Sequence, residues 1–154
     1  MENNWLQEFR AEYKPLLKEK YEEFEYGLSC NKARHIRLQK CRGIDYLQEF
    51  KNTCNLESLD NYSNIYKVVT ENENIVGSLS FQTGGVYIMN PSSIAPVEIL
   101  MSYMGENPVI LDVSSAPGGK TCAISDYTNR QGVIVANEIS SSRLKSLHFN
   151  LEKY

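Results

Sequence analysis

The sequence has no apolar run approaching the ~20 residues that a membrane-crossing helix requires. Its start, "MENNWLQEF", lacks a basic stretch followed by an apolar core, so it does not read as a signal peptide. These two absences place the protein in the cytoplasm, with no membrane partner. There is no CxxC pair. Cys30, Cys41, Cys54 and Cys122 are scattered, and His35 and His148 show no metal-ligand spacing, so no metal is expected. Four cysteines could form two disulfides in a secreted protein; without a signal peptide, free thiols fit better. An excess of positive charge is also missing. Sixteen Lys and Arg stand against 19 Asp and Glu, a net charge of −3. Such a chain has no general pull toward nucleic acid, and binding one would need a local basic patch. Internal repeats and long low-complexity tracts are absent.

What remains is an ordinary globular composition. The 154 residues, 42 % hydrophobic and 23 % charged, suffice for one domain or two small ones. Residues 3–28 carry Trp5, Phe9, Tyr13, Leu16, Leu17, Tyr21, Phe24 and Leu28 at helical spacing, and Pro15 is expected to break them into two helices. Glu19, Glu22, Glu23 and Glu25 read as the solvated face. "HIRLQK" (35–40) alternates like a strand, residues 43–55 read as a helix, and 55–64 as a mobile polar loop. "IYKVVTEN" (65–72) and "GVYIMN" (85–90) read as strands. The first 90 residues thus form an N-terminal α+β subdomain.

After Asn90 the pattern changes. A Pro-Ser-Ser signal opens an apolar helix, "PSSIAPVEILMSYM". "PVILDVSS" (108–115) is a continuous apolar strand of the kind buried on both faces of a parallel sheet. A helix at 120–127, a second strand at 132–138 and a helix with Leu144, Leu147 and Leu151 inward follow. Strand, helix, strand, helix is the first half of a Rossmann-type unit spanning residues 91–154, so the fold class is α/β.

The first turn of that unit, "SSAPGGKT", is where such folds hold ligands. Gly118 and Gly119 let backbone N–H groups come close to a ligand, and the helix start behind them favours negative charge. Glu138 closes the second strand about twenty residues later, the offset at which a carboxylate reaches ribose hydroxyls. A nucleoside-containing ligand is the implication. Gly119-Lys120-Thr121 looks like the end of a phosphate-binding loop, but that motif needs a glycine where Ser114 stands, and Pro117 removes a donor. The pattern GxGxxG is absent. The glycine pair also reads as a plain tight turn, which Glu138 at its offset disfavours.

"ILDVSSAPGGKTCAISDY" and "GVIVANEISSSRLKSLHFNLEKY" resemble the Nop/Sun family of RNA 5-methylcytosine methyltransferases. That family has an apolar strand ending in Asp, then Ala-Pro-Gly-Gly/Ser-Lys-Thr, and later Ala-Asn-Asp/Glu. "GGVYIMNPSSIAPVEIL" looks like its glycine-aromatic-Pro-Ser-Ser segment, and "HIRLQK" stands where it has a short strand. The resemblance covers about residues 30–154 and leans toward the bacterial ribosomal branch. It implies S-adenosylmethionine as cofactor. Ser114, Ser115, Ala116, Pro117, Gly118, Gly119 and Lys120 would line its methionine and adenosine side, and Glu138 would bind the ribose. It implies an RNA-positioning front subdomain and ribosomal RNA as partner. Lys120 and Arg143 equally read as plain surface charges.

The same resemblance names what is missing. The family attacks carbon 6 of cytosine with a cysteine thiolate and releases product with a second cysteine, both on later strands in Pro-Cys and Thr-Cys-Ser motifs. The chain carries neither motif, so no catalytic residue is expected in it, and the four cysteines read as core residues or idle thiols. The sheet has two strands where a complete one has about six. Either a missing C-terminal part or another chain would complete it. Lys32, Arg34, His35, Arg37, Lys40 and Arg42 form a run without acidic residues. Arg34, Arg37, Lys40 and Arg143 are candidate RNA contacts, and a solvated strand face is the alternative. Two functions stay open: the front of an RNA cytosine methyltransferase, inactive alone, or a non-catalytic RNA- or ligand-binding module completed by a partner.

Overall fold

The computed structural model describes residues 4–30, 33–40, 45–50, 54–60, 62, 64–71 and 74–154. Lys32, Cys41 and Arg42 lie outside them, as do positions 43, 44 and 51–53 of the expected helix. The chain divides into two compact units, Met1–Lys32 and Ala33–Tyr154.

The first unit holds helix α1 (Asn4–Leu17), a 3-10 turn at Lys18–Lys20 and helix α2 (Tyr21–Ser29). The aromatic stripe joins the helices: Phe9 stacks on Tyr13 at 4.5 Å and on Phe24 at 6.1 Å between centroids. Of the acidic run, Glu25 is paired, with its Oε1 2.6 Å from Arg10 Nε. The break falls at Lys18, not at Pro15. Pro15 lies inside α1, where its fixed φ is compatible with a helix. Lys18 instead takes a φ of +49°, which no continuing helix allows.

The second unit begins with a four-stranded antiparallel sheet in the order β2–β3–β1–β4. Its strands are β1 (His35–Leu38), β2 (Cys54–Ser58), β3 (Ile65–Glu71) and β4 (Val86–Ile88). Helices α3 (Tyr46–Phe50) and α4 (Leu79–Gln82) accompany it. The expected helix over 43–55 is therefore shorter, and the expected loop at 55–64 starts as a strand. Cys54 is fully buried in β2, and Leu56 behind it packs on the same core as Ile36, Leu38, Phe50 and Val86. Cross-strand burial decides the state of this segment, whereas its polar composition suggests a loop.

A 3-10 turn at Pro91–Ser93 and helix α5 (Ala95–Met101) lead to the second sheet. Strands β5 (Val109–Asp112) and β6 (Val133–Ala136) pair in parallel, Val109 opposite Val133 through Asp112 opposite Ala136. Helix α6 (Gly119–Tyr127) joins them, and α7 (Ser141–Lys153) follows. The boundary expected at residue 90 falls between the two sheets. A second core of Ile65, Ile94, Val97, Ile110, Ala123 and Ile124 draws on elements from both sides of it.

Strand β5 is buried on one face only. Ile110 turns toward Ala123 and Ile124 of α6, while Val109 is 78 % exposed and Leu111 61 %. Val133 and Val135 of β6 are exposed on that same outer face. The apolar run is right for a two-sided sheet, but among the described residues only one side has helices over it. In α7, Leu147 is buried and Leu144 half-buried, whereas Leu151 is exposed, contrary to the inward stripe. No helix among the described residues is long and apolar enough to cross a membrane.

Candidate functional site

The site is the turn between β5 and α6. Asp112, the last residue of β5, holds it from below. Its Oδ2 accepts the Thr121 hydroxyl at 2.6 Å and its Oδ1 accepts the Ser114 N–H at 3.3 Å. Its main-chain oxygen accepts the Ser115 hydroxyl at 2.8 Å. The turn itself closes with the Gly118 N–H on the Ser115 carbonyl, 2.7 Å. Gly118 stands at φ +109°, a conformation open to glycine and strained for other residues. Gly119 then opens α6, leaving first-turn N–H groups without intrahelical partners.

From the segment just after β6, the Glu138 side chain is 3 % exposed and touches the turn directly. Its Oε1 accepts the Ser140 N–H at 2.9 Å, and its Oε2 accepts the Ala116 N–H at 3.3 Å. Arg143 Nη1 lies 3.4 Å from Oε2. The Ser140 N–H is the largest influence holding the carboxyl below its usual value; Arg143 and the Ala116 N–H add to it, against burial. Glu138 is thus a carboxylate held in place, with acceptor capacity left for a ligand's hydroxyls.

Helix α7 braces the same turn. Arg143 donates through Nη2 to the Ala116 carbonyl, and Asn150 Nδ2 donates to the Pro117 carbonyl at 2.7 Å. A Cβ on Gly118 would meet Asn150 Cβ at 3.3 Å and Leu147 Cδ1 at 3.4 Å. So Gly118 makes room for α7. Gly119 differs: a Cβ there would meet the Tyr87 hydroxyl at 3.4 Å. A cavity of about 230 Å³ opens at that point, lined by Ser115, Pro117, Gly119 and Lys120 with Tyr87 and Ser93 opposite.

The candidate cofactor residues Ser114 to Lys120 and Glu138 therefore come together at one turn. The candidate RNA contacts do not. Arg37 is a correction: it is buried on β1, with Nη1 2.7 Å from Asp126 Oδ2 and both side chains 1 % exposed. Strand alternation suggests an outward arginine, but α6 covers that face and supplies the acid. Arg143 is engaged at the turn. Arg34 and Lys40 are exposed; the Lys40 N–H donates to Asp126 Oδ1 at 2.9 Å. The sequence reading missed Asp112, Thr121, Asn150 and Tyr87. A short hydroxyl spacing from Asp112 to Thr121 was the only available signal, since the other two act from distant elements.

The described cysteines differ in their surroundings. Cys54 and Cys122 are buried and Cys30 is exposed, none of them in a disulfide. Burial pushes the Cys122 thiol up to about 11, so it stays protonated at neutral pH. No group of three metal-binding side chains occurs among the described residues.

Residues 99–154 match the family described as 16S rRNA methyltransferase RsmB/F. The chain is 41 % identical over 83 residues to the ribosomal RNA small subunit methyltransferase F of Pectobacterium atrosepticum, covering 54 % of this chain and 17 % of that protein. It is 46 % identical over 72 residues to the enzyme of the same description from Vibrio vulnificus, covering 46 % and 15 %. The matched region is thus less than a fifth of these relatives' length. A methyltransferase homologue protein from Pyrococcus horikoshii shares the fold over 94 % of this chain and 48 % of its own, with a TM-score of 0.82 and 23 % identity. The motifs, the matched family model and the curated relatives point the same way: over about half of its length the chain is similar to ribosomal RNA small subunit methyltransferases.

Proposed function

We infer that the chain carries the cofactor-binding part of an S-adenosylmethionine-dependent methyltransferase acting on carbon 5 of cytosine in ribosomal RNA, in the cytoplasm. The observation that carries this reading is the Glu138 carboxylate fixed against Ala116 of the glycine turn. The fit to the cofactor rests on donor chemistry. A carboxylate on one side of the turn suits ribose hydroxyls, and the open N–H groups of the α6 start suit an anionic group on the other. Pro117 and the Ser at 114 argue against a triphosphate. S-adenosylmethionine supplies the methyl group to be transferred.

The residues of this chain bind and orient. Glu138 and the 114–120 turn hold the cofactor, Arg143 and Asn150 keep the turn in shape, and Arg34 with Lys40 are the RNA-facing cations. Residues 1–90 serve as the subdomain that positions RNA and 91–154 as the cofactor domain. The cysteine chemistry of the family is not assigned to any cysteine here, in keeping with the protonated, buried Cys122. A second reading, a non-catalytic ligand or RNA module completed by a partner chain, draws on the uncovered apolar face of β5 and β6.

Photo-cross-linking of methyl-labelled S-adenosylmethionine to the 154-residue chain tests the first reading. Label on peptides containing residues 114–120 or Glu138 supports it; absence of label, or its loss to excess ATP, rejects it. The same label offered with ribosomal RNA should yield no methylated cytosine from this chain alone. Methylated cytosine in that assay would refute the placing of the catalytic cysteines elsewhere.

A further inference from the structure

We propose that Tyr87 on β4 is a ligand-contacting residue of this site, donating its hydroxyl to the carboxylate of an amino-acid group at one end of the bound nucleoside ligand. The inference rests on the reading of the turn as an S-adenosylmethionine site, and it adds a residue that lies outside the Rossmann-type half.

Tyr87 is placed by its strand. It pairs directly opposite Arg37 on the β1–β4 ladder. Arg37 reaches α6 through Asp126, so the same face of the sheet meets that helix. Tyr87 consequently overlies Gly119, the first residue of α6, and lines the cavity there. The side chain is about nine-tenths buried, with 9 % of the residue exposed. Its ring lies 4.8 Å from that of Tyr154.

The hydroxyl borders the cavity, unlike the buried hydroxyls of Tyr21 and Tyr46, which also have no hydrogen-bond partner. Buried tyrosine hydroxyls usually find a partner. Tyr127 donates to Glu98 and Tyr154 to the Val86 carbonyl. Among the described residues the Tyr87 hydroxyl has no hydrogen-bond partner, and it faces the cavity. Burial pushes this phenol up to about 12, which keeps it a neutral donor at physiological pH.

The surroundings select the chemistry. A phenol O–H, the open N–H groups of the α6 start and Lys120 on the same cavity all favour an acceptor carrying negative charge. Glu138 does not line this cavity and stands where hydroxyls suit it. The cavity, about 230 Å³, is below the ~300–1,000 Å³ of a whole small-molecule site and fits one end of such a ligand. A ligand with hydroxyls at one end and a carboxylate at the other spans the turn.

Tyr87→Phe keeps the ring and removes only the hydroxyl. Calorimetry with the 154-residue chain compares two probes: S-adenosylhomocysteine, which carries the amino-acid group, and 5′-methylthioadenosine, which has the nucleoside without it. We expect Tyr87→Phe to weaken S-adenosylhomocysteine binding about tenfold, as loss of a bond to a charged group does. Binding of 5′-methylthioadenosine and the unfolding temperature should stay unchanged. Equal affinity of parent and variant for S-adenosylhomocysteine overturns the proposal alone, and so does an equal loss for both probes. A parent chain that binds neither probe overturns the reading of the site, and the proposal with it.

Discussion

Arg37 and Asp126 form a buried ion pair between β1 and α6, Nη1 to Oδ2 2.7 Å apart, although 89 residues separate them in the chain. Asp126 also accepts the Lys40 N–H. The pair ties the antiparallel sheet to the helix that starts at the glycine turn.

Removing one partner from a buried pair strands the other charge, which costs about 3–5 kcal/mol. Arg37→Ala should therefore lower stability by that amount, read from the urea midpoint at constant slope. The double variant Arg37→Met with Asp126→Leu should recover most of it. A loss below about 1 kcal/mol for Arg37→Ala would show that the pair does not hold the sheet to α6.

The two glycines of the turn should respond differently. Gly118→Ala forces a side chain to a φ of +109° and crowds Asn150 and Leu147. Its expected effect is a loss of fold stability of roughly 1–3 kcal/mol. Gly119→Ala meets only ordinary contact with Tyr87, so the fold should keep its unfolding temperature while S-adenosylhomocysteine affinity falls. Thermal unfolding and calorimetry on both variants check this. Equal unfolding temperatures for the two would contradict the geometry.

Those glycines were legible in the sequence because a strand-turn-helix with a Gly pair leaves few conformational options, and Glu138 because its offset follows from strand and helix lengths. Both sheets' strands at 35–38, 65–71, 86–88, 109–112 and 133–136 were legible from alternation or apolar runs. Arg37 was not: its partner lies 89 residues on, and a polar residue in an alternating strand normally points to water. Strand β2 was hidden by its polar composition, because pairing with β3 rather than propensity makes it a strand. Tyr87 looked like any strand aromatic, since its role depends on which helix start lies across from it. The open outer face of β5 could not be read from an apolar run, which states what a face prefers and not what covers it.

Glu138 should show its environment in a pH titration. Its folded value is lowered, chiefly by the Ser140 N–H. A carboxyl depressed on folding stabilises the fold above its ordinary range, and this contribution is lost as pH falls through the lowered folded value. Carbon-13 NMR of the Glu138 carboxyl should therefore find its midpoint below the ordinary glutamate range, with the parent losing stability as pH falls through that midpoint. In Glu138→Gln that part of the acid dependence should vanish. A carboxyl titrating at its ordinary value would mean that the Ser140 and Ala116 contacts are not held in solution.

Arg34 and Lys40 are exposed on the sheet end of the basic run. If they neutralise phosphates, each replacement by Ala should weaken RNA binding for all sequences alike. Each should also reduce the slope of log affinity against log salt by roughly 0.7–1. Arg37→Met with Asp126→Leu, which removes no exposed charge, should leave the slope unchanged. An unaltered slope in the Arg34→Ala and Lys40→Ala variants returns the run to a solvated strand face.

The central claim is that the glycine turn with Glu138 holds S-adenosylmethionine rather than a triphosphate. Calorimetric titration of S-adenosylmethionine into the parent chain and into Glu138→Ala, each with and without excess ATP, tests it most directly. The account predicts binding by the parent that ATP does not displace, and at least about a tenfold weaker affinity in Glu138→Ala. Equal affinity in the two proteins, or displacement by ATP, would contradict it.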